Sequence, residues 1–226
     1  MANSDFLRRN KNQHSIKNSI SKKMDSSIDV LVKKLINYLN KKYPQLTFEQ
    51  VKTLHLVDII STLSSQFPGL VGHFATVIEG SFIRPDGGFI YAKNKEGERK
   101  LILVAEVKRQ GTNEKRAKEG LPPQARGNAI ERLGKNLIGI RAIFKKENII
   151  PFVCFGSGDD FKADVTIRDR VVTMNDFFPL NKIFVKKEYL PFEPVSMFFR
   201  HADWSPAQML AILKIIAEES IKYYFK

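Results

Sequence analysis

The chain has 226 residues, 43% of them hydrophobic, which is enough for one large domain with a buried core or one domain with small additions. Lys and Arg number 37 against 24 Asp and Glu, a net charge of +13, and such a surplus favours a polyanionic partner, most simply nucleic acid. No long uninterrupted apolar run suggests a membrane span. Met1 to Asn18 is polar, without a signal core. The single cysteine, Cys154, has no partner for an intrachain disulfide or a metal cluster, so it is expected to be a buried thiol in a reducing, prokaryotic cytoplasm.

Residues 1–25 are polar and basic, with Arg8, Arg9, Lys11, Lys17, Lys22 and Lys23, and are expected to form a mobile arm. Ile28, Leu31, Val32, Leu35, Ile36 and Leu39 recur at helical spacing and predict a helix over 27–41, capped by Ser26 or Ser27. A second helix is predicted from Phe48 to Leu63, because Thr47 with Gln50 fits a capping box. Strands are expected at 74–78, 88–92 and 99–108, with Asn94 to Gly97 as the turn between the last two. Residues 109–126 read as an extended polar and basic loop. A long helix over 128–146 and a buried strand over 151–155 follow. Residues 165–173, Val-Thr-Ile-Arg-Asp-Arg-Val-Val-Thr, suggest a further strand or hairpin. Ser205-Pro206 starts a final helix whose stripe is Met209, Ile212, Leu213, Ile216 and Ala217. This order predicts an α/β fold with a central mixed sheet flanked by helices, formed by residues 26–226 as a single domain.

Chemistry concentrates at two places. Asp86 lies in Arg84-Pro85-Asp86-Gly87-Gly88, and Glu106 and Lys108 end the run from Leu101 to Lys108. Side chains alternate along a strand, so Glu106 and Lys108 share a face. Five apolar residues precede Glu106, which marks the end of a buried strand. A buried carboxylate and ammonium are costly unless they pair or hold a metal. Two carboxylates beside a lysine supply hard oxygens to Mg²⁺ and a cation for a phosphate under attack, the chemistry of phosphodiester cleavage. Spacing alone equally fits a structural Glu106–Lys108 pair with Asp86 as a turn residue. Acid-x-Lys also recurs at Glu98-Arg99-Lys100 and Asp160-Phe161-Lys162.

The second place is Gly127-Asn128-Ala129-Ile130-Glu131-Arg132, which opens the predicted long helix. A helix start offers free N–H groups to phosphates and base edges. Asn pairs with adenine, a carboxylate accepts from an exocyclic amino group, and Arg donates to purine N7 and best to guanine. An ordinary reading, with Asn128 as a cap and Glu131 and Arg132 as surface charges, remains open from the residues alone. Lys115 and Arg116 in the preceding loop are candidates for phosphate contact, as are Arg168 and Arg170, which one strand face would present together. His55 and His73 are expected in the core or at its boundary, and Trp204 with Phe198 and Phe199 in core or dimer packing.

Four segments in order, Arg84–Gly88, Val104 to Gly111, Gly127–Arg132 and Ile150 to Val153, resemble the EcoRI/MunI group of type II restriction endonucleases within the PD-(D/E)xK nuclease superfamily. The Gly-Asn-Ala-x-Glu-Arg hexapeptide is the most specific of them. The resemblance is strongest from about 80 to 156 and implies a restriction-endonuclease-like core at about 74–173. It implies Asp86, Glu106 and Lys108 as catalytic residues, with Asp86 and Glu106 holding Mg²⁺. It further implies Arg126, Gly127, Asn128, Ala129, Glu131 and Arg132 as DNA-binding residues. A homodimer would cut double-stranded DNA at a palindrome centred on AATT, leaving four-base 5′ overhangs, and a cognate DNA methyltransferase would accompany it in the host. Some members of the group carry arginine at the position of Arg126 and others do not. Arginine reads guanine, so an outer C·G pair, CAATTG, is favoured over GAATTC. Two other readings stay open: a structure-specific repair or junction nuclease of the same superfamily, and a DNA-binding regulator without catalysis.

Overall fold

The computed structural model describes residues 28–76, 78–109, 128–162 and 166–226, with the backbone alone at 128 and 129. The predicted arm, the loop before the long helix, and Ser26 and Ser27 lie outside these residues. Helix α1 covers residues 28–42. The next elements are β1 (Thr47–Val51), β2 (Leu54–His55), α2 (Leu56–Gln66), β3 (Phe82–Ile83), β4 (Gly88–Lys93), β5 (Arg99–Arg109) and α3 (Asn128–Ile143). The last are β6 (Phe152–Ser157), α4 (Ile167–Met174), β7 (Ser196–Arg200) and α5 (Pro206–Tyr224).

Five strands form one mixed sheet in the order β1-β4-β5-β6-β7, as the α/β expectation requires. β4 runs antiparallel to both its neighbours, β1 and β5, whereas β5-β6 and β6-β7 are parallel. Parallel neighbours need a crossover, and the β5-to-β6 connection carries α3. The central strands are buried on both faces. One face carries Ile90, Leu103, Ala105, Val153, Phe155 and Phe198, packed with α1 and α5 through Leu35, Leu39, Leu213 and Ile216. The other carries Phe89, Val104, Phe152, Cys154, Met197 and Phe199, packed with α2, α3 and α4 through Ile59, Leu133, Leu137, Ile140 and Val171. Glu106 and Lys108 stand on this second face, beside Cys154 and Gly156 in register. The final helix opens with a full capping box, Ser205 with Gln208, and Ile212 on its predicted stripe is half-buried.

Several expectations are corrected. The predicted helix over 48–63 is instead an edge strand and a later helix: Thr47–Val51 pairs with Lys93–Phe89, and α2 begins only at Leu56. Thr47 therefore caps nothing and its hydroxyl donates to the Lys93 carbonyl at 3.4 Å. Its neighbours alternate between exposed and half-buried, which is the strand period. No strand forms among the described residues of 74–78. The predicted strand over 165–173 is the helix α4, because Ile167 and Val171 are four apart and bury one helical stripe. β7 lacks alternation and went without a predicted strand. Four of its five residues are buried, as befits a strand covered on both faces. His55 and His73 are exposed, not in the core. Trp204 packs on Phe155 and Phe198 at 5.6 and 5.7 Å, and its indole N–H donates to Gly156 O at 2.9 Å, as core packing predicts.

Candidate active site

The site forms where the turn Pro85–Gly88 meets β5. The Gly88 amide donates to Pro85 O at 3.0 Å and closes the turn. The Gly87 amide donates to Ala105 O at 2.9 Å and ties the turn to β5. Gly88 has φ +72°, and a β-carbon there would come within 2.6 Å of Val51 O. Only glycine satisfies both the conformation and the close approach.

Two reciprocal bonds then lock the carboxylates together. The Asp86 amide donates to Glu106 Oε2 at 3.0 Å, and the Val107 amide donates to Asp86 Oδ2 at 3.2 Å. Lys108 Nζ donates to Asp86 Oδ2 at 3.1 Å and to Val107 O at 3.1 Å, and forms an ion pair with Glu106 Oε1. Three oxygens from three residues thus converge on one cation. The structure brings together Asp86, Glu106 and Lys108.

Burial grades across the cluster. Glu106 is 1% exposed, the Lys108 side chain 14% and the Asp86 side chain 25%, so the cluster opens to solvent on the Asp86 side. Burial pushes the Glu106 carboxyl up to about 7, against the Lys108 ammonium, which favours its charged form. Burial also disfavours the Lys108 charge, but the two carboxylates outweigh it and the ammonium is held above its usual range. The buried Cys154 thiol is pushed well up by desolvation, so it stays neutral beneath the pair.

Two carboxylates and a main-chain carbonyl are hard oxygen donors, and one carboxylate reaches solvent. This set fits a hard divalent cation that keeps part of its water shell. It offers no imidazole or thiolate, and no group of three or more acidic, His or Cys side chains suited to a metal occurs among the described residues. The two decoy motifs differ in place. Glu98 pairs with Lys100 at 3.2 Å at an exposed strand start, and Asp160-Phe161-Lys162 lies in a 3₁₀ turn after β6.

Of the predicted DNA-contact residues, Lys115, Arg116, Arg126 and Gly127 lie outside the described residues, as do the side chains of Asn128 and Ala129. The backbone at 128 and 129 does open α3. Ile130, Leu133, Leu137 and Ile140 of α3 are buried, and Glu131 and Arg132 are exposed on its first turns. Arg168 and Arg170 do not share a face. They sit on α4, where two positions differ by about 200°, with Arg168 half-buried and Arg170 exposed.

Near the turn, Asp29 and Lys52 have no place in the sequence reading, and Gln50 enters it only as the capping-box partner of Thr47. Gln50 Nε2 donates to Gly87 O at 2.8 Å and to Asp29 Oδ1 at 3.3 Å, and Lys52 forms an ion pair with Asp29. Partial burial and the Arg84 guanidinium pull the Lys52 ammonium down, against the pull of Asp86. Their signal is the strand period of 47–51, which a helical reading of 48–63 erases.

The family described as restriction endonuclease EcoRI matches residues 10–168. The type II restriction enzyme EcoRI of Escherichia coli is 34% identical over 61% of this chain and 50% of its own length. This chain thus spans about half of that relative. The type II restriction enzyme RsrI of Cereibacter sphaeroides is 28% identical over 92% of this chain and 87% of its own length. No helix among the described residues is long and apolar enough to cross a membrane. With a family match over more than half its length, the chain belongs to the EcoRI restriction endonuclease family.

Proposed function

We propose that this chain is a Mg²⁺-dependent, site-specific deoxyribonuclease. It acts as a homodimer on double-stranded DNA, at a palindrome with an AATT core. CAATTG is favoured, GAATTC is the alternative, and the ends carry 5′ overhangs. The observation that carries this reading is the convergence of Asp86, Glu106 and the Val107 carbonyl on the Lys108 ammonium.

Asp86, Glu106 and Val107 O would hold the cation, which when bound polarises the phosphate and lowers the pKa of a water molecule. Lys108 donates to the phosphate oxygens and stabilises the charge that builds on them as water attacks phosphorus and the bond to the 3′ oxygen breaks. Its three bonds within the cluster fix the direction of its ammonium. The bonds from the Asp86 amide to Glu106 and from the Val107 amide to Asp86 hold both carboxylates in place before DNA arrives, so little reorganisation is needed at the moment of reaction. The buried wall of Val104, Cys154 and Phe152 behind them lowers the local dielectric and strengthens each charge interaction.

Recognition falls to Arg126 through Arg132, with Asn128, Glu131 and Arg132 reading the inner A·T pairs and Arg126 the outer guanine. Lys115 and Arg116 contribute phosphate contacts, and of the two arginines on α4 the exposed Arg170 is the one placed to add another. A two-fold protein matches a two-fold site, and a cognate methyltransferase in the host would protect its own copies of that site.

Incubating DNA of known sequence with the purified protein and Mg²⁺, then sequencing the fragment ends, tests this. Discrete fragments ending in AATT overhangs are expected. Cutting at branched or damaged DNA without a common sequence, or no cutting at all, would reject it. Glu106→Ala should abolish cleavage and leave DNA binding measurable in a gel-shift assay, and full activity in that variant would reject the site. Arg126→Ala should relax the outer pair while keeping AATT, read by sequencing the cut ends.

A further inference from the structure

The turn that carries Asp86 is held from β5 by the bonds already described, from Gly87 to Ala105, from Asp86 to Glu106 and from Val107 to Asp86. It is also held from the opposite side, by residues of β1 and α1. Gln50 reaches across from β1 and donates one N–H to Gly87 O at 2.8 Å. It also donates to Asp29 Oδ1 at 3.3 Å, and Lys52 pairs with the same carboxylate. The neighbouring residue of α1, Ile28, is buried and stands so close to Gly87 that a β-carbon there would meet its Cγ1 at 3.1 Å. Gly87 O accepts from an edge-strand side chain, while Gly87 N donates to Ala105 O. Gly87, the residue following Asp86, is therefore held through both its N–H and its C=O, one anchored to the sheet interior and the other to a polar side-chain relay.

We propose that Gln50, oriented by Asp29 and Lys52, is a positioning residue that sets the Asp86 carboxylate against Glu106 for cation binding. This inference rests on the reading of Asp86 and Glu106 as the cation's ligands. β1 is an edge strand with solvent-exposed Thr47 and Glu49, and the sheet hydrogen bonds of β1 end at Val51–Phe89, just short of the turn. Gln50 extends the restraint past that last pair. Methionine at this position keeps the volume and β-strand backbone but leaves Gly87 O without its side-chain donor, while Asp29 keeps its pair with Lys52.

The test compares wild type, Gln50→Met, Asp29→Asn and Glu106→Gln. One readout is Mn²⁺ binding to the DNA-free protein by electron paramagnetic resonance. The other is the Mg²⁺ dependence of cleavage. Loss of one ordinary hydrogen bond corresponds to about a three- to tenfold change in an equilibrium. Gln50→Met should weaken Mn²⁺ binding and raise the Mg²⁺ concentration for half-maximal rate by that factor. It should lower kcat and leave KM for DNA unchanged, and amide exchange at Gly87 and Gly88 should quicken. Asp29→Asn should shift Mn²⁺ affinity the same way by less, and it decides the matter if Gln50→Met does not fold. Wild-type Mn²⁺ and Mg²⁺ responses in the folded variants, or losses in KM or stability alone, would overturn the role of Gln50. If Glu106→Gln also binds Mn²⁺ as wild type does, the carboxylate site itself is wrong and this inference falls with it. If Glu106→Gln loses binding while Gln50→Met keeps it, only the brace is rejected.

Discussion

Lys108→Met separates the two charges of the buried pair and predicts a stability change with a particular pH signature. In the wild type Glu106 titrates near 7 when folded, against 4.5 as its ordinary value. Its folded form binds more protons across that window, so this group lowers stability as pH rises from 4.5 to 7. The accumulated cost is about 3 kcal/mol at about 1.4 kcal/mol per pH unit. Removing the ammonium removes the interaction that favours the charged carboxylate, so the folded value rises further. Below the wild-type value the carboxyl is neutral in both folded proteins, and the variant loses the bonds from Lys108 to Asp86, Glu106 and Val107, about 2–4 kcal/mol that does not change with pH there. Above it, the wild type has stopped losing stability through Glu106 while the variant continues to lose up to about 1.4 kcal/mol per unit. The difference between the two should therefore widen from pH 7 to pH 9. Urea unfolding at each pH, with slopes checked for constancy, measures it. A stability gap that stays constant from pH 6 to pH 9 would refute the reasoning, because Glu106 would then be equally ionised with and without its partner.

Other expectations concern the scaffold. Gly156→Ala would drive a β-carbon into the ring of Phe199, which is buried and meets Phe161 edge-on at 4.8 Å. A loss of about 1–3 kcal/mol in urea unfolding is expected, whereas Gly69→Ala, with open space around it, should change little. Leu213→Ala empties a fully buried position between α5 and the sheet and should cost about 2–5 kcal/mol. Ile215→Ala, two positions away and 46% exposed, should stay within about 0.5 kcal/mol. Thermal melts of both compare them directly.

The parts of the molecule legible in the sequence share a physical trait: one period dominates. Leu31, Leu35 and Leu39 sit one turn apart on α1, and Ser205-Pro206 with Gln208 marks the start of α5 without competition. Leu101 to Ala105 is too apolar to be anything but a central strand, and that pointed to the burial of Glu106 just beyond it. The misread segments each carry two periods. In Thr47 to Leu63, Phe48, Val51 and Ile59 suit a helix, yet the segment 47–51 is drawn into the sheet by pairing with β4, a contact nearly forty residues away in sequence. In Val165 to Thr173 the β-branched residues suggest a strand, but Ile167 and Val171 find a shared pocket only as a helix. The turn at Asp86 was legible as Gly-Gly chemistry. Its support from Gln50 was not, since a side chain bonding a distant carbonyl leaves no local pattern.

Cys154 is the sole sulfhydryl of the chain, has no exposed surface, and lies across the strand pair from Glu106. A thiol reagent in the surrounding solution cannot touch it until β5 and β6 part from α3. Its rate of labelling is thus a built-in clock for opening of the sheet beside the cluster, readable in the unaltered protein and silent to movements of the surface.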